Sequence, residues 1–405
     1  KTMNVLFITS RLPYPPLGGD RLKGYWLLNI LSKHFKVDLV SITEGEVPDS
    51  FYKWANQHGI KAKIFRKKDI LFYRNASRFL INRLPIQVNY YYFKDVHEYV
   101  CSVYKKYDIL FATLIRTAPY IINKDRIKIL ELTDSIGIHY QRAKKKSRSL
   151  KWRIIYALEA KRLLNYERFC ISKFDKVLFV NKEEMEYFGQ QAKTAWMPNG
   201  VDEKLLVYDR INEKYKHSIV FFGKMDYQPN INAVTWFANN VMPHVSKNLN
   251  FVIIGINPAP SIKRLGIKSK NINILGYLDD PYEIIKSSLC VVAPMQTGAG
   301  IQNKVLESMA LGTINIVSSL AAKPLGVNDK KEVLIIDDPV SMANVINDIY
   351  LNLSRYEYLK INSREFIKNS FTWSIYEKNL INLIDEVVKC SPKTGQGNKV
   401  GNGLP

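Results

Sequence analysis

Residues 298–312 read Gly298-Ala299-Gly300-Ile301-Gln302-Asn303-Lys304-Val305-Leu306-Glu307-Ser308-Met309-Ala310-Leu311-Gly312. Short apolar runs at 289–293 and 314–317 flank this stretch, and each has the length and composition of a buried strand. Between them, Val305 and Met309 repeat at a spacing of four, which predicts a helix from Ile301 to Leu311. The order of strand, glycine-rich turn, helix and strand is typical of a parallel α/β fold.

The same stretch carries residues suited to binding a phosphorylated sugar. A helix that starts behind glycines exposes backbone N–H groups and a partial positive charge, which favour a phosphate. Glu307 lies further along the helix, where its carboxylate could accept hydrogen bonds from a sugar or ribose diol. Lys304 lies one turn earlier, on the same side as Glu307 and Ser308. The pattern therefore favours a nucleotide-sugar site, and the alternative is an ordinary βαβ crossover with a surface Glu and Lys.

The composition is that of a globular protein. The chain has 405 residues, enough for two domains of roughly 200 residues each. Apolar residues make up 46% of it, but no apolar run approaches the roughly 20 residues that span a bilayer. The first residues lead directly into a predicted strand rather than a signal sequence. The four cysteines are scattered, which disfavours a disulfide framework or a zinc site and predicts a cytoplasmic protein.

The net charge of +22 is concentrated in the first half of the chain. Residues 1–200 contain 36 Lys and Arg against 18 Asp and Glu, whereas the remainder contains 23 against 19. A change of composition at mid-chain supports two domains with different partners. A basic domain could face nucleic acid, an anionic membrane or a polyanionic substrate.

Predicted strands and helices alternate along both halves. This alternation predicts an α/β fold with two Rossmann-like, doubly wound parallel sheets. We expect an N-terminal domain at 1–197, a second domain at 198–372, a helix at 373–390 that packs back on the first domain, and a flexible tail at 391–405. Ligands of such sheets bind beyond the carboxyl ends of the strands, in a cleft that we expect between the two domains.

Six motifs in order along the chain resemble the retaining glycosyltransferases of family 4, which have the GT-B fold of two Rossmann-like domains facing across a cleft. The motifs are Pro15-Pro16-Leu17-Gly18-Gly19, Met197-Pro198-Asn199-Gly200-Val201-Asp202, Phe221-Phe222-Gly223-Lys224-Met225, Val252-Ile253-Ile254-Gly255, Asn273-Ile274-Leu275-Gly276-Tyr277-Leu278-Asp279 and Gly300 to Gly312. The last of these resembles a subgroup with a Gly-x-Gln-Asn-Lys-x-Leu-Glu donor motif.

The resemblance implies transfer of a sugar from a nucleoside diphosphate sugar to a hydroxyl of a lipid-linked or glycan acceptor. It implies retention of anomeric configuration, no metal and no cofactor, and a role in bacterial surface polysaccharide or glycoconjugate synthesis. It assigns the donor's diphosphate to Lys224 and its diol to Glu307. The other residues expected at the donor are Gly223, Gly255, Tyr277, Leu278, Gly298, Gly300, Ile301, Gln302 and Asn303, and Gly18 and Gly19 are expected near its phosphate or the acceptor.

Two departures from the family pattern affect this expectation. The family usually has a second Glu, which contacts the donor sugar, where this chain has Ala299. The family's second diphosphate cation is also absent, because residues 227–230 fill that loop, and Lys304 is the candidate replacement. A non-catalytic protein that binds sugar or nucleic acid on a degenerate GT-B scaffold is therefore the alternative. No nucleic-acid motif is evident, so we expect no nucleic acid partner, and the first turn lacks the dinucleotide-binding glycines of a dehydrogenase.

The first half contributes three further candidates, each after a predicted strand. His139 could act on the acceptor side, as a histidine does in some family members, and Asp134 could orient an acceptor hydroxyl. Arg116 follows the strand at 109–113. For each of these residues the alternative is an ordinary polar residue of a loop.

Two basic stretches with interspersed aromatic residues, 61–94 and 142–153, indicate a protein peripheral to an anionic membrane at its cytoplasmic face. The alternative is a solvated charged face. The lysines expected to dock are Lys67, Lys68, Lys144, Lys145 and Lys146.

Overall fold

The computed structural model describes residues 2–16, 19–146, 150–298 and 300–390. The chain divides into two compact units, one from residue 1 to Met197 together with the segment from Glu377 onward, and one from Pro198 to Tyr376. Each unit contains its own hydrophobic core.

In the described part of the first unit, seven strands form one sheet in the order β3-β2-β1-β4-β5-β6-β7. The strands are β1 (Asn4–Thr9), β2 (Lys36–Thr43), β3 (Lys61–Arg66), β4 (Ile109–Thr113), β5 (Ile127–Thr133), β6 (Lys176–Phe179) and β7 (Thr194–Trp196). All of these neighbours pair in parallel. The interior strand β1 is apolar and almost fully buried from Val5 to Ile8, as expected for a parallel strand covered on both faces.

Helices connect these strands. They are α1 (Gly19–His34), α2 (Asp49–Gln57), α3 (Asp69–Ala76), α4 (Ile86–Tyr90), α5 (Lys94–Val103), α6 (Ile136–Lys146), α7 (Leu150–Lys173) and α8 (Lys182–Phe188). A 3₁₀ turn, Ser77–Leu80, follows α3. The sequence pattern did not predict α3, α4 and α5, because the region is rich in aromatic and β-branched residues of modest helix propensity. Burial of Phe72, Val88 and Val96 against the unit's core favours the helical conformation there.

In the described part of the second unit, six parallel strands have the order β10-β9-β8-β11-β12-β13. The strands are β8 (Ser218–Phe222), β9 (Asn250–Ile254), β10 (Ile272–Gly276), β11 (Cys290–Ala293), β12 (Asn315–Val317) and β13 (Leu334–Ile335). The helices are α9 (Gln228–Asn240), α10 (Pro260–Lys268), α11 (Tyr282–Ser287), α12 (Asn303–Leu311), α13 (Ser319–Ala322), α14 (Pro339–Leu351) and α15 (Glu357–Ser370). The last helix, α16 (Trp373–Cys390), passes from the second unit into the first.

Both sheets have the predicted Rossmann-like topology. The strand order reverses between β1 and β4 in the first unit, and between β8 and β11 in the second. Ligands of open parallel sheets bind at such switch points, beyond the carboxyl ends of the strands. No helix among the described residues is long and apolar enough to cross a bilayer.

The helix within residues 298–312 begins later than predicted. The helix begins at Asn303 rather than at Ile301, and Gln302 precedes it in an extended conformation. Gly298 has a φ of 97°, so the chain approaches the helix through a loop. The loop therefore takes up the glycine-rich residues, and Lys304 lies in the first helical turn.

Candidate active site

Three glycines lie at the carboxyl ends of adjacent strands in the second unit. Gly223 follows β8, Gly255 follows β9 and Gly276 ends β10, and their φ values are 144°, 155° and 72°. The backbone N–H of Gly255 donates to the carbonyl of Gly276 over 2.8 Å. A Cβ at Gly255 would lie 1.7 Å from the carbonyl oxygen of Gly223. Only glycine fits there, and the three residues present bare backbone at the strand ends.

Lys304 of α12 packs against the first of these glycines. A Cβ at Gly223 would lie 3.4 Å from Lys304 Cε. The Lys304 ammonium donates to Asn230 Oδ1 and to Gln302 Oε1, each over 3.0 Å, and lies 5.1 Å from the centre of the Phe221 ring. Within the described residues, these acceptors are neutral amide oxygens. Burial lowers the pKa of Lys304 to about 8, and the charge of Glu307 opposes that shift.

Asn230 connects this lysine to the loop after β8. Its Nδ2 donates to the backbone carbonyl of Lys224 over 2.9 Å, while its Oδ1 accepts from Lys304. Asn230 is almost fully buried near the start of α9. Its amide oxygen thereby orients the ammonium group of Lys304. The sequence gives no signal for this role of Asn230, because only the absence of a lysine from the loop is apparent there.

Glu307 lies one turn beyond Lys304 and is half-buried. Burial raises the pKa of Glu307 to about 7, against the opposing effects of the Tyr282 hydroxyl and the Lys304 charge. The Tyr282 hydroxyl donates to Glu307 Oε2 over 3.3 Å. The backbone N–H of Tyr282 in turn donates to Asp280 Oδ1 over 3.1 Å, which holds the start of α11. The loop after β10 thus orients the candidate diol-binding carboxylate.

The ammonium group of Lys224 pairs with a different residue. Its side chain is half exposed and forms an ion pair with Asp226 over 3.5 Å. Only its backbone carbonyl joins the Asn230 network. The structure therefore brings Lys304 and Glu307 together but leaves the Lys224 ammonium outside their hydrogen-bonded group.

The remaining donor candidates occupy the surrounding loops. Tyr277 is 60% exposed after β10, whereas Leu278 packs against the core. Asn303 Oδ1 accepts a hydrogen bond from Asn199 Nδ2 over 3.1 Å. Gly300 and Ile301 lie in the loop before α12. Gly19 begins α1 of the first unit, and Gly18 and Ala299 lie outside the described residues.

In the first unit, Asp134 and His139 lie beside Glu184 of α8. His139 Nε2 is 3.5 Å from Glu184 Oε1, and Arg142 Nη1 is 3.2 Å from the same oxygen. Glu184 is almost fully buried, and its other oxygen accepts from the backbone N–H of Ser135 over 2.6 Å. Glu184 was not predicted from the sequence, because nothing local distinguishes it from the neighbouring glutamates of α8.

Burial and neighbouring charges shift the pKa values of Asp134 and His139. Burial and the charge of Glu184 raise the pKa of Asp134 to about 6. Burial lowers the pKa of His139, but the hydrogen bond and charge of Glu184 and the charge of Asp134 outweigh it, so the net shift is upward. Ligand atoms of Asp134, His139 and Glu184 lie within 4.8 Å of one another, which is close enough for a metal ion. Arg142 already brings a positive charge to Glu184.

A second buried carboxylate supports the loop that carries Asp134. Glu167 of α7 accepts from the Ser135 hydroxyl over 2.7 Å and from the backbone N–H of Gly137 over 3.2 Å. Burial raises the pKa of Glu167 to about 7. These bonds hold the turn between β5 and α6, so they set the positions of Asp134 and His139.

Two arginines contact the Tyr91 side chain at the switch point of the first unit. Arg116, after β4, lies with its guanidinium carbon 4.5 Å from the centre of the Tyr91 ring. Arg11, after β1, donates from Nε to the Tyr91 hydroxyl over 3.1 Å. Arg11, Arg21 and Phe72 are among the residues that line a cavity of about 540 Å³ at this edge. The cavity offers guanidinium groups beside an apolar wall.

The lysines of the two basic stretches differ in their surroundings. Lys67 forms an ion pair with Asp95 over 2.5 Å, and its side chain is only 13% exposed. Lys68 and Lys144 are exposed. The side chains of Lys145 and Lys146 lie outside the described part of the structure. Lys67 is therefore a paired, largely covered cation rather than a solvent-facing one.

Comparison with known proteins gives a family match over part of the chain and a fold match over nearly all of it. Residues 216–352 match the family described as "Glycosyl transferases group 1". A relative from Klebsiella pneumoniae, named "Uncharacterized 44.6 kDa protein in cps region", is 23% identical over 383 residues, which cover 91% of this chain and 96% of the relative.

Solved structures share the fold at low sequence identity. Sucrose-phosphate synthase (tll1590) from Thermosynechococcus elongatus superposes with a TM-score of 0.70 at 14% identity, over 96% of this chain and 100% of that one. Anabaena Alr3699/HepE, solved in complex with UDP, gives 0.67 at 14% identity, over 95% and 100%. The two parallel-sheet units are those of the GT-B fold. The family match and this fold together support a glycosyltransferase.

Proposed function

We propose that the chain is a retaining glycosyltransferase of family 4 that transfers a sugar from a nucleoside diphosphate sugar to an acceptor hydroxyl. The observation that carries the proposal is the surroundings of Lys304. It is a buried cation in the first turn of a helix, where the helix dipole disfavours positive charge, and its acceptors are neutral amide oxygens. A diphosphate beside Gly223 and the start of α12 would supply the missing negative charge.

The roles of the other residues follow from the same placement. The carboxylate of Glu307 accepts hydrogen bonds from a donor diol, and its raised pKa makes this binding dependent on pH. Lys304 neutralises the diphosphate as its bond to the anomeric carbon breaks, and the acceptor oxygen bonds to that carbon while the acceptor's hydroxyl proton passes to the departing diphosphate. The half-exposed Lys224 turns from Asp226 toward the diphosphate when the donor binds. These two cations provide the charge in this proposal, which includes no metal and no cofactor.

The acceptor side of the proposal rests on the first unit. Asp134 and His139 orient the acceptor hydroxyl, with Glu184 holding the imidazole. The acceptor is a lipid-linked sugar or a glycan at the cytoplasmic face of a membrane. The relative named for a cps region supports a role in surface polysaccharide synthesis, and the UDP and UDP-glucose complexes of Anabaena HepE support a nucleotide-sugar donor.

A donor screen tests this function. Melting temperatures are measured with UDP-, GDP-, ADP- and CMP-sugars, since a ligand at about 100 times its Kd stabilises the folded state by about 2.7 kcal/mol. We expect one nucleotide class to stabilise the second unit and its sugar to be released or transferred on incubation. If no nucleotide sugar raises the melting temperature, the donor assignment is wrong.

The residue at position 299 supports a second candidate, a non-catalytic sugar-binding protein. Ala299 stands where related enzymes carry the Glu that contacts the donor sugar. The same screen separates the two functions. A donor that binds without nucleoside diphosphate release, with acceptor present, would favour the binding protein.

A further inference from the structure

Large apolar side chains are exposed on one region of the first unit. Ile70 and Tyr73 of α3 are 68% and 65% exposed. Leu80, at the end of the 3₁₀ turn, and the adjoining Ile81 are 76% and 90% exposed. Leu158 of α7 is 62% exposed. We define the apolar patch as Ile70, Tyr73, Leu80, Ile81, Ile154 and Leu158.

The elements that carry the apolar patch pack against one another. Arg162 of α7 donates to the carbonyl of Phe79 over 3.4 Å, and its guanidinium lies 5.7 Å from the Phe79 ring centre. Ile154, Leu158 and Arg162 are spaced four residues apart and therefore follow one line along α7. Since Leu80 directly follows Phe79, the exposed residues of the turn and of α7 adjoin.

The opposite face of α3 is anchored, so its exposed face is not required by the core. Phe72 is buried, and the Asn75 amide donates to the Tyr92 carbonyl over 2.9 Å. The Tyr73 ring meets the Tyr90 ring edge-on at 5.7 Å. Exposed apolar surface of this kind is typical of a site that a membrane or another protein covers.

Cations outnumber anions around the apolar patch, although the exposed Asp69 adjoins Ile70. Residues 70–94 contain four Arg and Lys, residues 135–158 contain seven, and neither segment contains an Asp or Glu. Of these cations, Arg74, Arg83 and Arg153 are exposed. An apolar patch with arginines nearby suits the interface of an anionic bilayer. There the lipid acyl chains accept the apolar groups and the headgroups attract the cations. Five of the six side chains in the patch are aliphatic and offer no aromatic face on which a nucleic acid base could stack, and Tyr73 is the one aromatic member.

We propose that the apolar patch inserts into an anionic lipid bilayer, with Leu80 and Ile81 entering the acyl boundary and the surrounding arginines contacting the headgroups. This extends the proposed function, on which it rests for the identity of the acceptor, by naming the surface that meets the membrane. Phe72 of α3 also lines the cavity that contains Arg11 and Arg21. A lipid-borne acceptor would therefore reach that cavity along α3, a helix only about 12 Å long.

Co-sedimentation with vesicles tests the proposal on the full chain. Wild type, L80S/I81S and I267S are compared on phosphatidylcholine vesicles with and without phosphatidylglycerol. Ile267 is the matched control, since it is 84% exposed but belongs to α10 of the second unit. We expect L80S/I81S to bind anionic vesicles at least about tenfold more weakly, with I267S unchanged. R74S/R83S should weaken binding mainly at low salt.

Several results would overturn the proposal. The proposal is wrong if the wild-type protein binds neither kind of vesicle, or if it binds both kinds equally. It is also wrong if the protein binds oligonucleotides more tightly than anionic vesicles. Equal binding by L80S/I81S and wild type would also contradict it. Circular dichroism and the melting temperature confirm that each variant is folded. Stabilisation by a nucleotide sugar, measured on the same variants, reports on the proposed function separately from the membrane.

Discussion

The ammonium group of Lys304 donates a hydrogen bond to Oδ1 of Asn230 over 3.0 Å, although the two residues are 74 positions apart in sequence. The bond joins the first turn of α12 to the start of α9, on either side of the strand end at Gly223. It leaves a cation buried beside bare backbone without a carboxylate in hydrogen-bond contact among the described residues.

Replacing Lys304 by Met should change how stability depends on pH. The pKa of Lys304 is lowered to about 8 by burial, below its usual value, so the unfolded chain binds an extra proton between about pH 8 and 10.5. Wild-type stability should therefore rise relative to Lys304→Met across that range. Urea unfolding at several pH values measures the difference. A difference in the free energy of unfolding that does not vary with pH would show that folding leaves the pKa of Lys304 unchanged.

Glu307→Gln should abolish a pH dependence of donor binding. Because burial raises the pKa of Glu307 to about 7, the wild-type carboxylate ionises as the pH rises through that value. Donor affinity should rise over the same range and should be flat in the variant. Loss of a charge-assisted hydrogen bond should cost about 1.5–3 kcal/mol above pH 7. Calorimetry measures both effects, and an unchanged affinity would remove Glu307 from the donor site.

Lys224→Ala should lower turnover more than donor binding. Its ammonium is half exposed and paired with Asp226, so it is available to meet negative charge that develops on the departing diphosphate. Release of nucleoside diphosphate and donor affinity are measured in parallel. The exposed Lys247, in a loop of the same unit, provides the control substitution. Turnover within about twofold of wild type would argue against this role.

Glu184→Gln should lower the pKa of His139. Burial alone lowers that pKa, and the opposing effects are the hydrogen bond of Glu184, then the charge of Asp134 and then the charge of Glu184. An NMR titration of the imidazole proton resonances measures the shift. His97 serves as the internal control, because burial and the charge of Lys124 lower its pKa without Glu184. An unchanged His139 pKa would contradict the contact.

Gly255→Ala should destabilise the second unit strongly. Gly255 has a φ of 155°, and an added Cβ would lie 1.7 Å from the carbonyl oxygen of Gly223. A loss of more than about 3 kcal/mol is expected from combined strain and overlap. Gly276→Ala is the control, since its φ is 72° with no atom within 4 Å of an added Cβ. Its cost should be about 1–2 kcal/mol. Chemical denaturation compares the two variants.

Some features of the candidate site could be predicted from local sequence. The glycines after β8, β9 and β10 follow apolar runs directly, so Gly223, Gly255 and Gly276 were expected at strand ends. The position of Lys304 one turn before Glu307 also follows from helical spacing. Neither pattern indicated that Lys304 would be buried, because burial depends on what α9 brings to the same strand end.

Sequence alone determined the two parallel α/β sheets, because alternation of apolar strands with amphipathic helices is a local pattern and parallel strands require such crossovers. Only the tertiary structure decided which side chains meet. Asn230 reaches Lys304, Glu184 reaches His139, and Asp95 pairs with Lys67, in each case between elements distant in sequence. The order of strands in a sheet brings their ends together, and that order arises from long-range packing that no local spacing records.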